Sequence, residues 1–190
     1  MLTGVFADVA VTDVAADLAR VVHESDPQLA GGGTAPTWLT AVSFATAQDG
    51  VVALHHSIVD YTSWPWWYEE VIGGKYFEKP EGDHPASHYK DDVPMVIKPV
   101  KGRENHPVVR GVGEIVTVDE CYRGMWHAPG VTTLMETVND LNDRAVVYVG
   151  PGANSHAVYI QLGHGSYTHA HPGYRRLVHN AIVWAAGRAR

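Results

Sequence analysis

The spacing of hydrophobic residues predicts a chain in which helices and strands alternate. An unbroken apolar run from Val51 to Leu54 follows a glycine, which is typical of a strand buried on both faces of a parallel sheet. Residues 14–23 and 174–188 repeat apolar positions at helical spacing and therefore predict amphipathic helices. Residues 37–48 and 65–72 predict two more helices, and a glycine follows closely on each.

The second half of the chain is richer in strand patterns than the first. Short apolar or alternating runs predict strands at 5–11, 93–100, 114–122, 131–138, 145–149 and 157–162. Residues 139–143 are polar and predict a turn, and residues 74–92 predict a long loop. Together these elements indicate an α/β fold, a three-layer sandwich whose central sheet is mainly parallel. No linker or repeat divides the chain, so we expect one domain over residues 1–190.

The composition of the chain limits the kinds of molecule that the protein is expected to bind and the compartment in which it is expected. The 14 basic and 21 acidic residues give a formal net charge of −7, which argues against binding to nucleic acid or to an anionic membrane. The single cysteine, Cys121, excludes an internal disulfide and a four-cysteine zinc site, and its alternating surroundings predict a buried, inert thiol. Neither a signal peptide nor an apolar membrane span is recognisable, so the cytoplasm is the expected compartment.

Ionisable residues gather where three predicted strands end. His55 and His56 follow the first strand, Asp119 and Glu120 lie in the second, and His164 follows the last. Ligands of open α/β sheets bind beyond the carboxyl ends of the strands. Two imidazoles and a carboxylate could hold a divalent ion such as zinc or manganese, or could act as general acid and base without metal.

Adjacent positions of a strand point to opposite faces. His55 and His56 are therefore not both expected to reach a shared ligand, and one of them is expected to be a buried histidine bonded to backbone. A cluster of aromatic residues around Trp64 and Trp66 could form a wall on which a sugar stacks, whereas Trp67 is expected to pack into the core. The sequence holds no nucleophile elbow, no dinucleotide-binding glycine motif and no P-loop.

The order of several motifs resembles the trehalose-utilisation, or ThuA-like, family, which has a class I glutamine amidotransferase-like, flavodoxin-like fold. The resemblance covers about residues 38–188 and is carried by segments 50–55, 67–77, 106–112, 118–122, 160–164 and 179–187. In this fold a cysteine nucleophile follows the central strand of glutaminases, and His55 stands at that place here. The resemblance therefore implies that the protein is not a glutaminase.

The resemblance also implies roles for single residues and a substrate class. His55, Glu120 and His164 are expected near one pocket as catalytic residues, with His55 and His164 as metal ligands. The predicted substrate-binding residues are His56, Trp64, Trp66, Asp119 and Tyr122. The expected substrate is a disaccharide or keto sugar. The first 36 residues are too short for the family's opening elements, so the resemblance implies a domain shortened at its N-terminus.

Two functions stay open at this stage. The protein could be an enzyme that acts as an isomerase, lyase or hydrolase on a sugar, or a non-catalytic sugar-binding or protein-interaction domain on the same fold. In both cases the expected partner is a small-molecule sugar. A homodimer is a further hypothesis, because several aromatic residues are expected at the surface.

Overall fold

The computed structural model describes residues 19–22, 50–152 and 156–188. The predicted strand at 5–11, the predicted helix at 37–48 and most of the expected shortened N-terminus lie outside these ranges. Residues Ala19–Val22 form a strand and not the end of a helix, so the helix predicted for 14–23 is wrong over that part. The strand pairs in parallel with the one beginning at Gly50, and this pairing decides its conformation.

The described residues form nine strands and two α-helices. The strands are β1 (Ala19–Val22), β2 (Gly50–Leu54), β3 (Gly74–Lys75), β4 (His88–Pro99), β5 (Ile115–Arg123), β6 (Trp126–His127), β7 (Thr132–Thr137), β8 (Ala145–Val149) and β9 (Ala157–Ile160). The helices are α1 (Ser166–Ala170) and α2 (Pro172–Ala185). A 3₁₀ turn covers His55–Ile58, and a π-helical turn covers Trp66–Val71.

The main sheet is mixed, and its described pairings are mostly antiparallel. Its seven strands lie in the order β1-β2-β9-β8-β7-β4-β5. The pairs β1–β2 and β2–β9 are parallel, and the other four pairs are antiparallel. The expectation of a mainly parallel sheet is therefore wrong. Residues 138–144, which join β7 to β8, form too short a link for a parallel crossover, and such a link favours a hairpin.

Both faces of the sheet are buried, as expected for a layered α/β fold. Val52 and Leu54 of β2 pack on the face that α2 covers, with Leu177 and Ala181 of the helix. Val51 and Ala53 point to the opposite face, where the 3₁₀ and π-helical turns pack. The alternation along β2 thus supplies two cores, which explains why its whole run is apolar.

The long loop predicted for residues 74–92 contains strand at both ends. Gly74 and Lys75 pair with β6, and β4 begins at His88. The pairing of β4 with β5 is interrupted between Lys90 and Val93, where Asp92 adopts a φ of +53°. Such a bulge re-aims the side chains of the strand that carries it. No helix in the described ranges is long and apolar enough to cross a membrane.

Candidate metal centre

The end of β2 brings two adjacent histidines to the same side of the chain. The strand stops at Leu54, and His55 begins the 3₁₀ turn with a φ of +49°. The two imidazoles consequently stack, with centroids 4.2 Å apart and planes 17° from parallel. Both imidazoles reach Glu120, so the expectation that they would point to opposite sides is wrong, because the opposite-face rule holds only within a strand. His55 is nevertheless the buried histidine bonded to backbone that was expected of one of them.

Glu120 of β5 lies at the centre of three imidazoles. Its carboxylate oxygens are 3.2 Å from His55 Nε2, 3.1 Å from His56 Nε2 and 3.2 Å from His164 Nδ1. The Glu120 and His55 side chains are only 4% exposed, whereas His56 is 34% and His164 43% exposed. The cluster is therefore closed on the side of Glu120 and open on the side of His56 and His164.

The backbone fixes the tautomer of His55. The ring donates from Nδ1 to the carbonyl oxygen of Gln161 over 2.8 Å, so a neutral ring has a bare lone pair on Nε2. That nitrogen faces the Glu120 carboxylate at 3.2 Å and His164 Nδ1 at 3.4 Å. A lone pair facing an anion is unfavourable. Nε2 can be satisfied by a hydrogen-bond donor, such as an N–H on Nδ1 of His164, or by a bound metal ion.

The donor atoms of the four residues fit a divalent transition metal. One ligand atom from each of His55, His56, Glu120 and His164 lies within 4.8 Å of the others. Zinc binds imidazole nitrogen at about 2.0–2.1 Å, so neighbouring donors around a tetrahedral ion lie about 3.4 Å apart. Four contacts in the cluster, of 3.1 to 3.4 Å, are close to that value, and the other donor pairs, which lie within 4.8 Å, would have to close around an ion. The bond from His55 to Gln161 is also the outer contact that metal-binding histidines commonly make.

Tyr122 and Asp91 complete the surroundings of the Glu120 carboxylate. Tyr122 donates its hydroxyl to Oε2 over 2.7 Å, and Asp91 lies beside the same group on the β4 bulge. Burial alone would raise the pKa of Glu120, but hydrogen bonds from His55, His56, Asp91 and Tyr122 outweigh it, and the pKa lies well below its usual range. The bond to Glu120 raises the pKa of Asp91.

Asp119 points to the opposite side of β5 from Glu120. It is 2% exposed, and its oxygens accept the backbone N–H groups of Glu120, Gly163 and His164 and the Thr168 hydroxyl. All of these donors belong to the protein itself. The substrate-binding role expected for Asp119 stays a prediction, and its observed contacts are with the turn that carries His164.

The aromatic wall predicted from the sequence consists of half-buried residues that pack on one another. Trp64 and Trp66 lie 4.8 Å apart, and both pack against the core cluster that contains the fully buried Trp67. Their sugar-binding role stays a prediction, whereas the core position of Trp67 is confirmed. The aromatic residue found beside the site is Tyr76, whose ring is 5.6 Å from that of Tyr122.

Sequence reasoning missed Asp91 and Tyr76 for different reasons. Asp91 reaches the cluster only through the β4 bulge, for which the sequence offers a pair of aspartates and no more. Tyr76 lies within a segment on which the family resemblance rests, so that segment was the available signal. Cys121 is fully buried. Its burial, and to a smaller extent the negative charge of Asp119, raise the pKa of its thiol to about 11. The prediction of a buried thiol is confirmed.

Solved structures share this fold at low sequence identity. A ThuA-like protein of Parabacteroides merdae aligns with a TM-score of 0.71 and 18% identity, over 93% of this chain and 73% of its own. A ThuA-like protein of Bacteroides uniformis aligns with a TM-score of 0.55 and 20% identity, over 75% of this chain and 60% of its own. A cytoplasmic protein of Salmonella typhimurium LT2 aligns with a TM-score of 0.52 and 10% identity, over 80% of this chain and 60% of its own. These identities establish likeness of fold alone.

No curated protein matches the chain. The family model described as ThuA, trehalose utilisation, matches residues 41–185. That range covers most of the chain and contains His55, His56, Glu120 and His164. The predicted resemblance is confirmed, and family membership associates the protein with sugar metabolism. The chain belongs to the ThuA, or trehalose-utilisation, family.

Proposed function

We propose that this protein is a metal-assisted enzyme that acts on a disaccharide or an oxidised sugar. The observation that carries the proposal is the position of His55 Nε2. The Nδ1–H donates a hydrogen bond to a backbone carbonyl, and Nε2 faces a carboxylate and a second imidazole. Bound metal resolves this arrangement without adding a charge to the buried ring.

Four residues would hold the ion. His55, His56 and His164 offer nitrogen, and Glu120 offers oxygen. This donor set suits zinc or manganese, which are the two metals we propose. When bound, such an ion polarises a carbonyl or hydroxyl oxygen of the substrate as a Lewis acid. The open side, at His56 and His164, is where a substrate could approach.

A keto sugar suits this site chemically. A carbon next to a ketone carries an acidic C–H, and a base that removes this proton leaves the electron pair in an enolate. Where the deprotonated carbon carries a hydroxyl, reprotonation on the former carbonyl carbon, with loss of the hydroxyl proton, moves the carbonyl to its neighbour, which is isomerisation. The enolate can also expel a glycosidic oxygen on the next carbon, in which case the C–O bond breaks and the leaving oxygen takes up a proton.

The protein offers a group at the open side for these proton transfers that is not one of the four metal donors. Asp91 is an exposed carboxyl beside Glu120 on the β4 bulge. The buried Glu120 is held as an anion by four donors and is therefore poorly suited to release and regain a proton. We assign it the role of a fixed carboxylate that holds the ion together with the three imidazoles.

Metal analysis tests the proposal most directly. Purified wild-type protein, His55→Ala and His179→Ala are compared by elemental analysis after loading with zinc or manganese and desalting. His179 is an exposed histidine of α2 and serves as the matched control. We expect near-stoichiometric metal in the wild type and the control, and its loss in His55→Ala. Wild-type protein without metal would contradict metal assistance.

Sugar binding separates an enzyme from a binding domain. Metal-loaded protein is mixed with trehalose and with a chemically oxidised keto-disaccharide, and the unfolding temperature and products are followed. A stabilising shift together with product formation supports the enzyme. A shift without turnover supports the alternative of a non-catalytic sugar-binding domain. If no sugar gives either a shift or a product, both the enzyme and the sugar-binding domain are contradicted.

Compartment and assembly are further proposals. A cytoplasmic location is supported by the description of the Salmonella typhimurium LT2 neighbour as a cytoplasmic protein. The net charge of −7 supports the proposal that neither nucleic acid nor an anionic membrane is a partner. A homodimer predicts a mass of two chains in light scattering, and a mass of one chain would contradict it.

A further inference from the structure

Two neighbouring carboxylates, Glu120 and Asp119, contact the turn that carries His164, one at its side chain and one at its backbone. Glu120 lies 3.2 Å from Nδ1 of the His164 ring, and Asp119 accepts the backbone N–H of the same residue over 3.0 Å. Alternation along β5 sends these two carboxylates to opposite faces. One residue therefore meets the side chain of His164, while its neighbour meets the backbone.

Asp119 has an unusually full set of backbone contacts for a single carboxylate. Oδ1 accepts from the N–H groups of Glu120, at 2.8 Å, and His164, at 3.0 Å. Oδ2 accepts from the N–H of Gly163, at 2.9 Å, and from the hydroxyl of Thr168, at 2.5 Å. A buried carboxylate bonded to several fixed donors is costly to move, because each lost bond leaves a buried polar group without a partner.

The turn that Asp119 holds depends on such an anchor. Gly163 has a φ of +142°, which an L side chain rarely adopts. A Cβ there would lie 3.0 Å from the Tyr174 hydroxyl and 3.4 Å from His55 Cβ, so the turn passes close to the first histidine. The glycine gives the chain freedom to make this approach but does nothing to fix it.

Thr168 extends the anchor to helix α1. Its hydroxyl bonds both to Asp119 and to the Thr117 hydroxyl, which is 2.9 Å away on β5. Both threonines are buried. The short helix that follows His164 is thereby tied to the strand that carries Glu120. These hydrogen bonds link the strand, the turn and the helix.

We propose that Asp119 is the positioning residue of the metal centre. It fixes the Gly163–His164 turn and so aims the His164 imidazole at His55 and Glu120. This inference rests on the proposed function, because it takes the four-residue cluster as the metal site. Asp119 itself contacts neither the metal donors' ring atoms nor the open side of the site.

The test measures zinc affinity in two variants that lose the same kind of contact. Asp119→Asn places an amide NH₂ where one oxygen now accepts hydrogen bonds. Asp143→Asn is the matched control, because Asp143 also accepts two backbone N–H groups, from Gly124 and Met125, but has no bond to the cluster. Loss of an outer partner of a metal ligand commonly costs about 10- to 100-fold in affinity.

We expect the zinc dissociation constant to rise about 10- to 100-fold in Asp119→Asn and to stay within about twofold in Asp143→Asn. Equal affinity in Asp119→Asn and wild type would overturn the inference, as would an equal loss in both variants. If Asp119→Asn does not fold, Thr168→Val decides, because it removes one donor alone. It should weaken zinc binding in the same direction, and unchanged binding would overturn the inference.

A second measurement keeps this inference separate from the proposed function. The imidazole resonances of His164 are recorded by NMR in metal-free wild type, Asp119→Asn and Asp143→Asn. If wild type binds no zinc, the proposed metal chemistry fails, and the resonances alone judge the positioning role. A shift of the His164 ring in Asp119→Asn but not in the control supports it, and unmoved resonances refute it.

Discussion

The two faces of the main sheet are built from different residues, and one of them supplies the tyrosines that contact the candidate metal site. The face under α2 is filled chiefly by aliphatic side chains, such as Val158 and Ile160 of β9. The opposite face is aromatic, and Tyr159 of the same strand lies there with Tyr148 and Tyr122. Tyr159 and Tyr122 use their hydroxyls to contact His55 and Glu120.

This difference shows how a buried site can be supported. An aliphatic layer excludes water but cannot bond to an imidazole or a carboxylate. A tyrosine buries a large apolar ring and still offers one hydrogen bond at its tip. The aromatic face can therefore pack tightly and also hold polar groups. If this interpretation is correct, changes of aliphatic side chains under α2 should act on stability alone, and changes on the aromatic face should also act on metal binding.

The largest effect on stability is expected from the aliphatic face. Leu177→Ala opens a cavity beside a fully buried position of α2, and it should lower the free energy of unfolding by about 2–5 kcal/mol. Zinc affinity of the folded fraction should stay unchanged. Urea unfolding and zinc titration measure the two quantities, with His179→Ala on the same helix as control. A large loss of zinc affinity would show that the faces are coupled.

The largest effect on metal binding is expected at Glu120. Glu120→Gln keeps the shape of the side chain but removes the anion that His55, His56 and His164 face. Zinc affinity should fall by at least about tenfold, the lower end of what even an outer partner contributes. Isothermal titration calorimetry with zinc provides the measurement. Glu114→Gln, at an exposed position near the other end of the same β4–β5 pair, should bind zinc like the wild type.

A smaller effect on both properties is expected at Tyr159. Its hydroxyl donates to the backbone oxygen of His55 over 2.9 Å, so Tyr159→Phe leaves a buried acceptor with one bond fewer. The free energy of unfolding should fall by about 0.5–1.5 kcal/mol, and zinc affinity should fall by less than in Glu120→Gln. Tyr167→Phe, at a position that is 73% exposed, is the control. Unchanged zinc affinity in Tyr159→Phe would show that this tyrosine contributes to packing but not to metal binding.

The smallest effect is expected at the open side of the site. Asp91→Asn retains a group that can donate to Glu120, so zinc affinity should fall by less than the about tenfold typical of a lost outer partner. Asp92→Asn changes the neighbouring exposed aspartate of the same bulge and should have no effect. Competition with a fluorescent zinc chelator resolves differences of this size. A loss as large as that of Glu120→Gln would make Asp91 a metal ligand.

The elements that were predicted well are those that the local pattern defines. The strand after Gly50, the strands within residues 114–149 and the C-terminal helix all occur close to the expected places. The direction of pairing was predicted correctly for β2, whose two pairs are parallel, and wrongly for the rest of the sheet, because the apolar run of β2 suggested a mainly parallel sheet. The short connections between the later strands indicate antiparallel pairing, because a parallel crossover needs a longer link.

The sequence by itself supplied the donors of the site, the two cores and the membership of a family. Residue types and their places at strand ends were enough to select His55, Glu120 and His164. Only the tertiary structure decided how these donors meet. A left-handed turn at His55 brings His56 to the same side, a bulge brings Asp91 to Glu120, and Asp119 turns away to hold the His164 backbone. These are effects of single backbone angles and long-range hydrogen bonds, which no local pattern of side chains encodes.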